Sequence, residues 1–164
     1  MLSEQEQIRR ESLQKIISYG INPYPAEEFK FSHYSSQILE NFIDGENVII
    51  AGRLMRRKIQ GKASFGYIQD VKGKIQIYLN RDIICPDEDK SMYNDVFKKW
   101  LDLGDILGIE GKVFKTRVGE ISVNVEKIHL LSKSLKPLPQ PKVDADGITH
   151  DAFNDPELRY RRRY

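Results

Sequence analysis

The sequence predicts a mainly β protein: a five-stranded Greek-key barrel with an N-terminal helical extension and one helix between its third and fourth strands. Three observations carry this reading. At Asn47 the apolar spacing switches from a helical repeat of about 3.6 residues to alternation. Alternating runs follow, broken by turn residues such as DVKGK and TRVGE. A single helically spaced stretch, SMYNDVFKKWL, falls between the third run and the fourth. A split sheet of ferredoxin type needs a helix after its first strand, and none is visible there.

The elements follow in order. Ser3 and Glu6 form a capping box, in which the serine oxygen meets the Glu6 N–H and the glutamate reaches back. Leu13, Ile16 and Ile17 then give an apolar stripe, and Gly20 with Pro23 ends the helix. A short second helix is predicted over residues 35–42 with Ser35 or Ser36 as its cap, and Asp44-Gly45 signals a turn. Strand one starts at Asn47, with Val48, Ile50 and Leu54 on one face and Gly52 marking a bend or bulge. Residues 63–69 form strand two. Residues 74–80 form strand three, with Ile75, Ile77 and Leu79 inward and Lys74, Gln76 and Tyr78 outward. Met92, Val96, Phe97 and Trp100 carry the helix over residues 91–101, and residues 105–115 and 120–131 supply the last two strands. Three strands, a helix and two strands is the order of an OB-fold. Pro137, Pro139 and Pro141 favour an extended connector, and LRYRRRY ends the sequence. The chain thus divides into a helical extension (residues 1–46), a barrel (47–133) and a linker leading into a further segment (134–164).

Composition narrows the function less than placement does. Apolar residues make up 40% and charged residues 30%, ordinary for a globular chain, and the net charge of +2 does not by itself mark a nucleic-acid binder. Cys85 is the one cysteine, so no internal disulfide exists and a reducing compartment fits. His33, His129 and His150 are scattered without zinc-ligand spacing, so no metal site is expected. No apolar stretch approaches the roughly 20 residues of a membrane span, and the N-terminus is too polar for a signal peptide.

The charges instead concentrate locally. RLMRRKIQGKASFGYIQD holds Arg53, Arg56, Arg57, Lys58 and Lys62 with no acid among them, then two aromatics, Phe65 and Tyr67. An OB-fold binds ligands across strands two and three, between the loops that follow strands one and four. Phe65 and Tyr67 share one face of strand two, and Gln76 and Tyr78 share the outer face of strand three. The basic cluster falls at the end of strand one and in the loop after it. Lys115, Arg117 and Glu120 belong to the opposite rim. Cations draw in phosphates, rings stack unpaired bases, and Gln and Glu read base edges. Single-stranded nucleic acid, RNA in a loop above all, suits this set. The plainer reading makes Phe65 and Tyr67 barrel cover and the cations a solvated rim. With no Gly-rich phosphate loop, nucleophile triad or paired carboxylates, the sequence alone describes a binding module.

A resemblance sharpens this. IRRESLQKIISYGINPYP, GRLMRRKIQGKASFGYIQDVKGKIQIY, LGDILGIEGKVFKTRVGEISV, LLSKSLKPLP and DPELRYRRRY resemble, in order, the N-terminal third of bacterial-type lysyl-tRNA synthetases. Aspartyl and asparaginyl synthetases carry a similar barrel, and GKASF, FKT–GE–S and LRYR–RY together are the lysine-type features. The resemblance implies an anticodon-binding OB domain ahead of a class II catalytic domain, whose first motif RYR–RY opens at a homodimer interface. The chain ends on that motif, so residues 134–164 would be a linker and a truncated catalytic domain, and this fragment alone would be inactive. The whole enzyme would be a cytoplasmic ligase, using ATP and magnesium to join lysine to lysine tRNA, with no membrane partner. No cofactor belongs to the fragment.

The resemblance also assigns site residues. The family's stacking phenylalanine falls on Phe65, its glutamine reading the central uridine on Gln76, and its glutamate near another anticodon base on Glu120. Its arginine falls on Lys58, a departure that keeps charge but loses the planar fork. Arg57 is the alternative cation. Arg56, Lys62, Lys115 and Arg117 are expected to meet the tRNA backbone. Val118 replaces a customary threonine. Two other readings stay open: a free-standing single-strand or tRNA-binding OB protein, and an aspartyl or asparaginyl relative.

Overall fold

The computed structural model describes residues 2–138, the backbone of residues 142–143 and 149–150, and Tyr160. Five strands, β1 (Asn47–Gln60), β2 (Ala63–Gln69), β3 (Lys74–Asn80), β4 (Ile106–Lys115) and β5 (Ile121–Ser132), close into a barrel in the order β1-β2-β3-β5-β4. All neighbouring pairs are antiparallel except β3 with β5, which is parallel. Closure removes the sheet edges, and the inward residues, including Val48, Ile50, Leu54, Ile68, Ile77, Leu79, Ile109 and Val125, form one buried cluster. The OB architecture expected from the sequence is therefore present. Among the described residues, no helix is long and apolar enough to cross a membrane.

Helix α1 (Glu4–Ser18) starts with the expected capping box, Ser3 N donating to Glu6 Oε2 at 2.8 Å and Glu6 N to Ser3 Oγ at 3.3 Å. Its inward face differs from the predicted stripe. Ile16 is buried, Ile17 is exposed, and Arg9 and Ser12 complete the buried row. Arg9 goes inside because its guanidinium has partners: it donates to the carbonyls of Ser134 (3.0 Å) and Leu103 (2.9 Å).

Helix α2 is shorter than expected, Ser35–Glu40, and its N-cap is Tyr34. Ser35 is instead tied to Asp70 at the β2–β3 turn, through its N (2.6 Å) and Oγ (2.9 Å), while Lys72 N (2.7 Å) and Gly73 N (2.9 Å) complete the shell. Burial raises the Asp70 carboxyl, but these hydrogen bonds outweigh it and hold the group below its ordinary value. A depressed folded pKa contributes stability above the unfolded value, about 3.9, that is lost as pH falls through the folded one. Asp70→Asn is expected to flatten that acid limb in thermal melts run from neutral to strongly acidic pH. An unchanged limb would remove Asp70 from the acid response.

After β3 a short helix, α3 (Arg81–Ile84), precedes α4 (Met92–Trp100), the helix expected between strands three and four. Helix α4 is wound as a π-helix, closing with Leu101 N to Val96 O at 2.9 Å. The wider turn buries Tyr93, Val96 and Phe97 completely and leaves Met92 and Trp100 at the margin. Tyr93 OH meets Ser64 Oγ at 2.7 Å inside the barrel, and Lys98 Nζ reaches the Gly61 carbonyl, so α4 lies against the β1–β2 hairpin.

Two details of β1 depart from expectation. The strand runs on to Gln60, so most of the basic cluster lies on a strand and not in a loop. The bulge lies between Leu54 and Arg56, at Met55, and not at Gly52. Gly52 serves close packing: a Cβ there would lie 2.5 Å from both the Gln69 carbonyl oxygen and Ile68 Cγ2. Past the barrel, β6 (Lys142–Val143) pairs antiparallel with β7 (Thr149–His150). Otherwise the predicted connector beyond Leu138 and the arginine-rich ending lie outside the described residues.

Candidate nucleic-acid interface

Alternation along β2 and β3 sends Ser64, Gly66 and Ile68, with Ile75, Ile77 and Leu79, inward. Phe65, Tyr67, Gln76 and Tyr78 are left half-buried on the outer face. Register then aligns them in rows. Lys58 pairs with Phe65, Phe65 with Tyr78, and Tyr78 with Asn124. One step along, Arg56 pairs with Tyr67, Tyr67 with Gln76, Gln76 with Ser122, and Ser122 with Phe114. Phe65, Tyr67, Gln76, Tyr78 and Phe114 of these rows floor an open groove of about 630 Å³, walled by Arg56, Lys58 and Gln60 on one side and Thr116, Arg117, Val118 and Glu120 on the other.

Phe65 and Tyr78 of the first row and Phe114 at the end of the second form an aromatic floor. The Phe65 and Tyr78 ring centroids lie 5.1 Å apart at 51°, and Tyr78 and Phe114 lie 5.9 Å apart at 64°. Tilted neighbours of this kind brace each other and keep ring area open to a third ring.

The second row is a hydrogen-bonded network. Ser122 Oγ donates to Gln76 Oε1 at 2.7 Å. Gln76 Nε2 donates to Glu120 Oε2 at 2.9 Å and to Tyr67 OH at 3.2 Å, and Tyr67 OH donates to Glu120 Oε1 at 2.6 Å. Glu120 is placed by the β4–β5 turn, where its N–H donates to Thr116 Oγ1 at 3.0 Å and Gly119 takes φ +89°. The hydrogen bond to Glu120, with burial adding to it, raises the Tyr67 phenol above its ordinary pKa. The carboxylate accepts only, so the amide must face it with nitrogen, which fixes the orientation of Gln76.

The bulge decides between Arg57 and Lys58. Even-numbered residues of β1 point inward up to Leu54, and the extra residue at Met55 reverses the parity, so Arg56, Lys58 and Gln60 face the groove. Arg57, expected as the alternative anticodon cation, faces away from the groove. Its guanidinium donates to the carbonyls of Phe97 and Leu101 and lies 5.7 Å from the Phe97 ring centroid. Burial lowers its pKa from the usual guanidinium value. Arg53 is likewise engaged, donating to the Gly104 carbonyl at 2.9 Å.

Of the expected backbone contacts, Arg56 and Arg117 line the groove. Lys62 sits in the β1–β2 turn and Lys115 at the end of β4, both exposed and neither lining the groove. Phe65, Gln76, Glu120 and Lys58 all line it. Residue-by-residue reading missed Phe114 and Ser122, which reach this face only through the β4–β5 and β3–β5 pairings.

A basic-rimmed groove floored by aromatic rings, across strands two and three of a closed five-stranded barrel, defines a nucleic-acid-binding OB domain. The family model for the tRNA anti-codon type, described as an OB-fold nucleic acid binding domain, matches residues 48–131, and the chain belongs to that family. It is 64% identical over 163 residues to the lysine–tRNA ligase of Christiangramia forsetii. To those of Porphyromonas gingivalis and Azobacteroides pseudotrichonymphae it is 52% and 51% identical over 168 and 166 residues. These matches cover 99% of this chain but 29%, 29% and 33% of the relatives, so the chain spans about three-tenths of their length.

Proposed function

We propose that this domain binds the uridine-rich anticodon loop of lysine tRNA and serves as the anticodon-recognising part of a lysine–tRNA ligase. The observation that carries this is the orientation of Gln76, whose amide nitrogen faces the groove beside the Phe65–Tyr78–Phe114 floor. A base stacked on Phe65 would present its edge to that donor, taking one of the two hydrogens now held by Glu120 and Tyr67. Uridine offers O4 as an acceptor, whereas cytidine in the same pose offers an amino donor. Glu120 supplies an acceptor for a base N–H, and Lys58 a single charged donor. In the whole protein, a class II active site using ATP and magnesium would attach lysine to the tRNA this domain selects, in a cytoplasmic homodimer. The domain contributes specificity by differential binding.

Titration with anticodon stem-loops tests the reading. The lysine-type loop is expected to bind more tightly than an aspartate-type loop. Equal binding would favour the free-standing single-strand binder, and preference for the aspartate type would favour the other synthetase relatives. The rim charges have their own signature. Neutralising Arg56 is expected to weaken both loops similarly and flatten the log–log salt dependence by about one unit. An unchanged slope would assign Arg56 to solvent.

A further inference from the structure

We propose that Ser122 is a positioning residue that sets base preference by holding the amide of Gln76 in one orientation; this rests on the anticodon reading above. An unrestrained glutamine side chain can rotate its terminal amide and present nitrogen or oxygen to a ligand, so glutamine alone does not distinguish uridine from cytidine. Here the oxygen is taken. Ser122 is fully buried, and its hydroxyl donates to Gln76 Oε1 at 2.7 Å, far closer than its other neighbour, the Glu120 carbonyl at 3.4 Å. The placement comes from the sheet, because β3 and β5 run parallel with Gln76 opposite Ser122. With Oε1 directed to β5, Nε2 is turned toward Glu120 and Tyr67 on the groove side.

Glu120 and Ser122 therefore restrain the same torsion from opposite ends, one as acceptor and one as donor. Glu120 and Tyr67, the two acceptors of the Gln76 amide nitrogen, both line the groove, where an incoming base competes with them. Ser122 does not line it, so its bond persists while the base is read. Ser122 is thus the restraint that remains in the complex, and its contribution is to the choice among bases and not to contact with any of them.

The test is the ratio of affinities for anticodon stem-loops with uridine or cytidine at the central position, measured on the 164-residue chain. Ser122→Ala is expected to lower the uridine preference about threefold to tenfold, the weight of one neutral hydrogen bond. The loss should fall on the uridine loop, with cytidine binding unchanged or improved. Ser122→Cys keeps the size with a weaker donor and should fall between. In a Gln76→Ala background, Ser122→Ala should leave the ratio untouched, since it acts through that side chain. Equal weakening of both loops, or an unchanged ratio, would overturn the proposal while leaving the anticodon reading intact. A uridine preference that survives Gln76→Ala would instead overturn the reading of Gln76 itself.

Discussion

Asp105→Ala is expected to destabilise the domain by about 3–5 kcal/mol, the range for breaking a buried ion pair from one side. Lys133 and Asp105 both have fully buried side chains, and the ammonium lies 2.9 Å and 3.2 Å from the two carboxylate oxygens. Asp105 precedes β4 and Lys133 follows β5, so the pair closes the barrel where those strands meet. The carboxylate also accepts from the backbone N–H groups of Asp102 (2.7 Å) and Ser134 (2.8 Å). Burial pushes the Asp105 carboxyl up, and Lys133 with these donors pulls against it. Removing the carboxylate leaves Lys133 with Asp102 alone and strands two backbone donors. Asp105→Asn combined with Lys133→Met removes the buried charge and keeps an acceptor for one of the two backbone donors, so it is expected to recover part of the loss. Chemical denaturation of the single and double variants measures this. A single variant within about 0.5 kcal/mol of the parent, as for an ordinary surface change, would show that the pair is not holding the barrel together.

Short-range signals made much of this architecture legible. Strands β2 and β3 have the bounds their alternation predicts, and the capping box starts α1 where Ser3 and Glu6 place it. The groove residues Phe65 and Gln76 follow from the same period, because one turn fixes the register of a hairpin. What stayed hidden depends on distant partners. Nothing local marks Arg9 and Lys133 for burial, because the carbonyls and carboxylates that hold them lie far along the chain. Ser122 reads as a strand serine until β3 and β5 align it with Gln76, 46 positions away. The bulge at Met55 has no local marker: no glycine or proline lies there, and Gly52, which looks like one, answers a close approach from β2. Without that extra residue the alternation of β1 would continue unbroken, and Arg57 would take the place of Lys58 in the groove.

Phe65→Ala and Gln76→Ala are expected to weaken anticodon binding by similar amounts for different reasons, and the comparison separates stacking from reading. Phe65 leans on Tyr78 with centroids 5.1 Å apart, so its ring has a fixed tilt before any base arrives. Its removal should cost about 1–3 kcal/mol whatever base occupies the site, since every base has a ring face. Gln76→Ala should cost about 1–3 kcal/mol for a uridine loop, by analogy with base-edge contacts in DNA. It should cost much less for the cytidine loop, which gains nothing from a donor aimed at its amino group. Loss of Gln76 also frees the hydroxyl of Ser122 and one oxygen of Glu120, so part of the measured cost reflects partners left behind. That part is common to both loops and cancels in their ratio. The uridine-to-cytidine affinity ratio should therefore collapse in Gln76→Ala and hold in Phe65→Ala. Two residues that merely cover the barrel would change neither affinity. A ratio that falls with Phe65 and survives the loss of Gln76 would exchange the two roles.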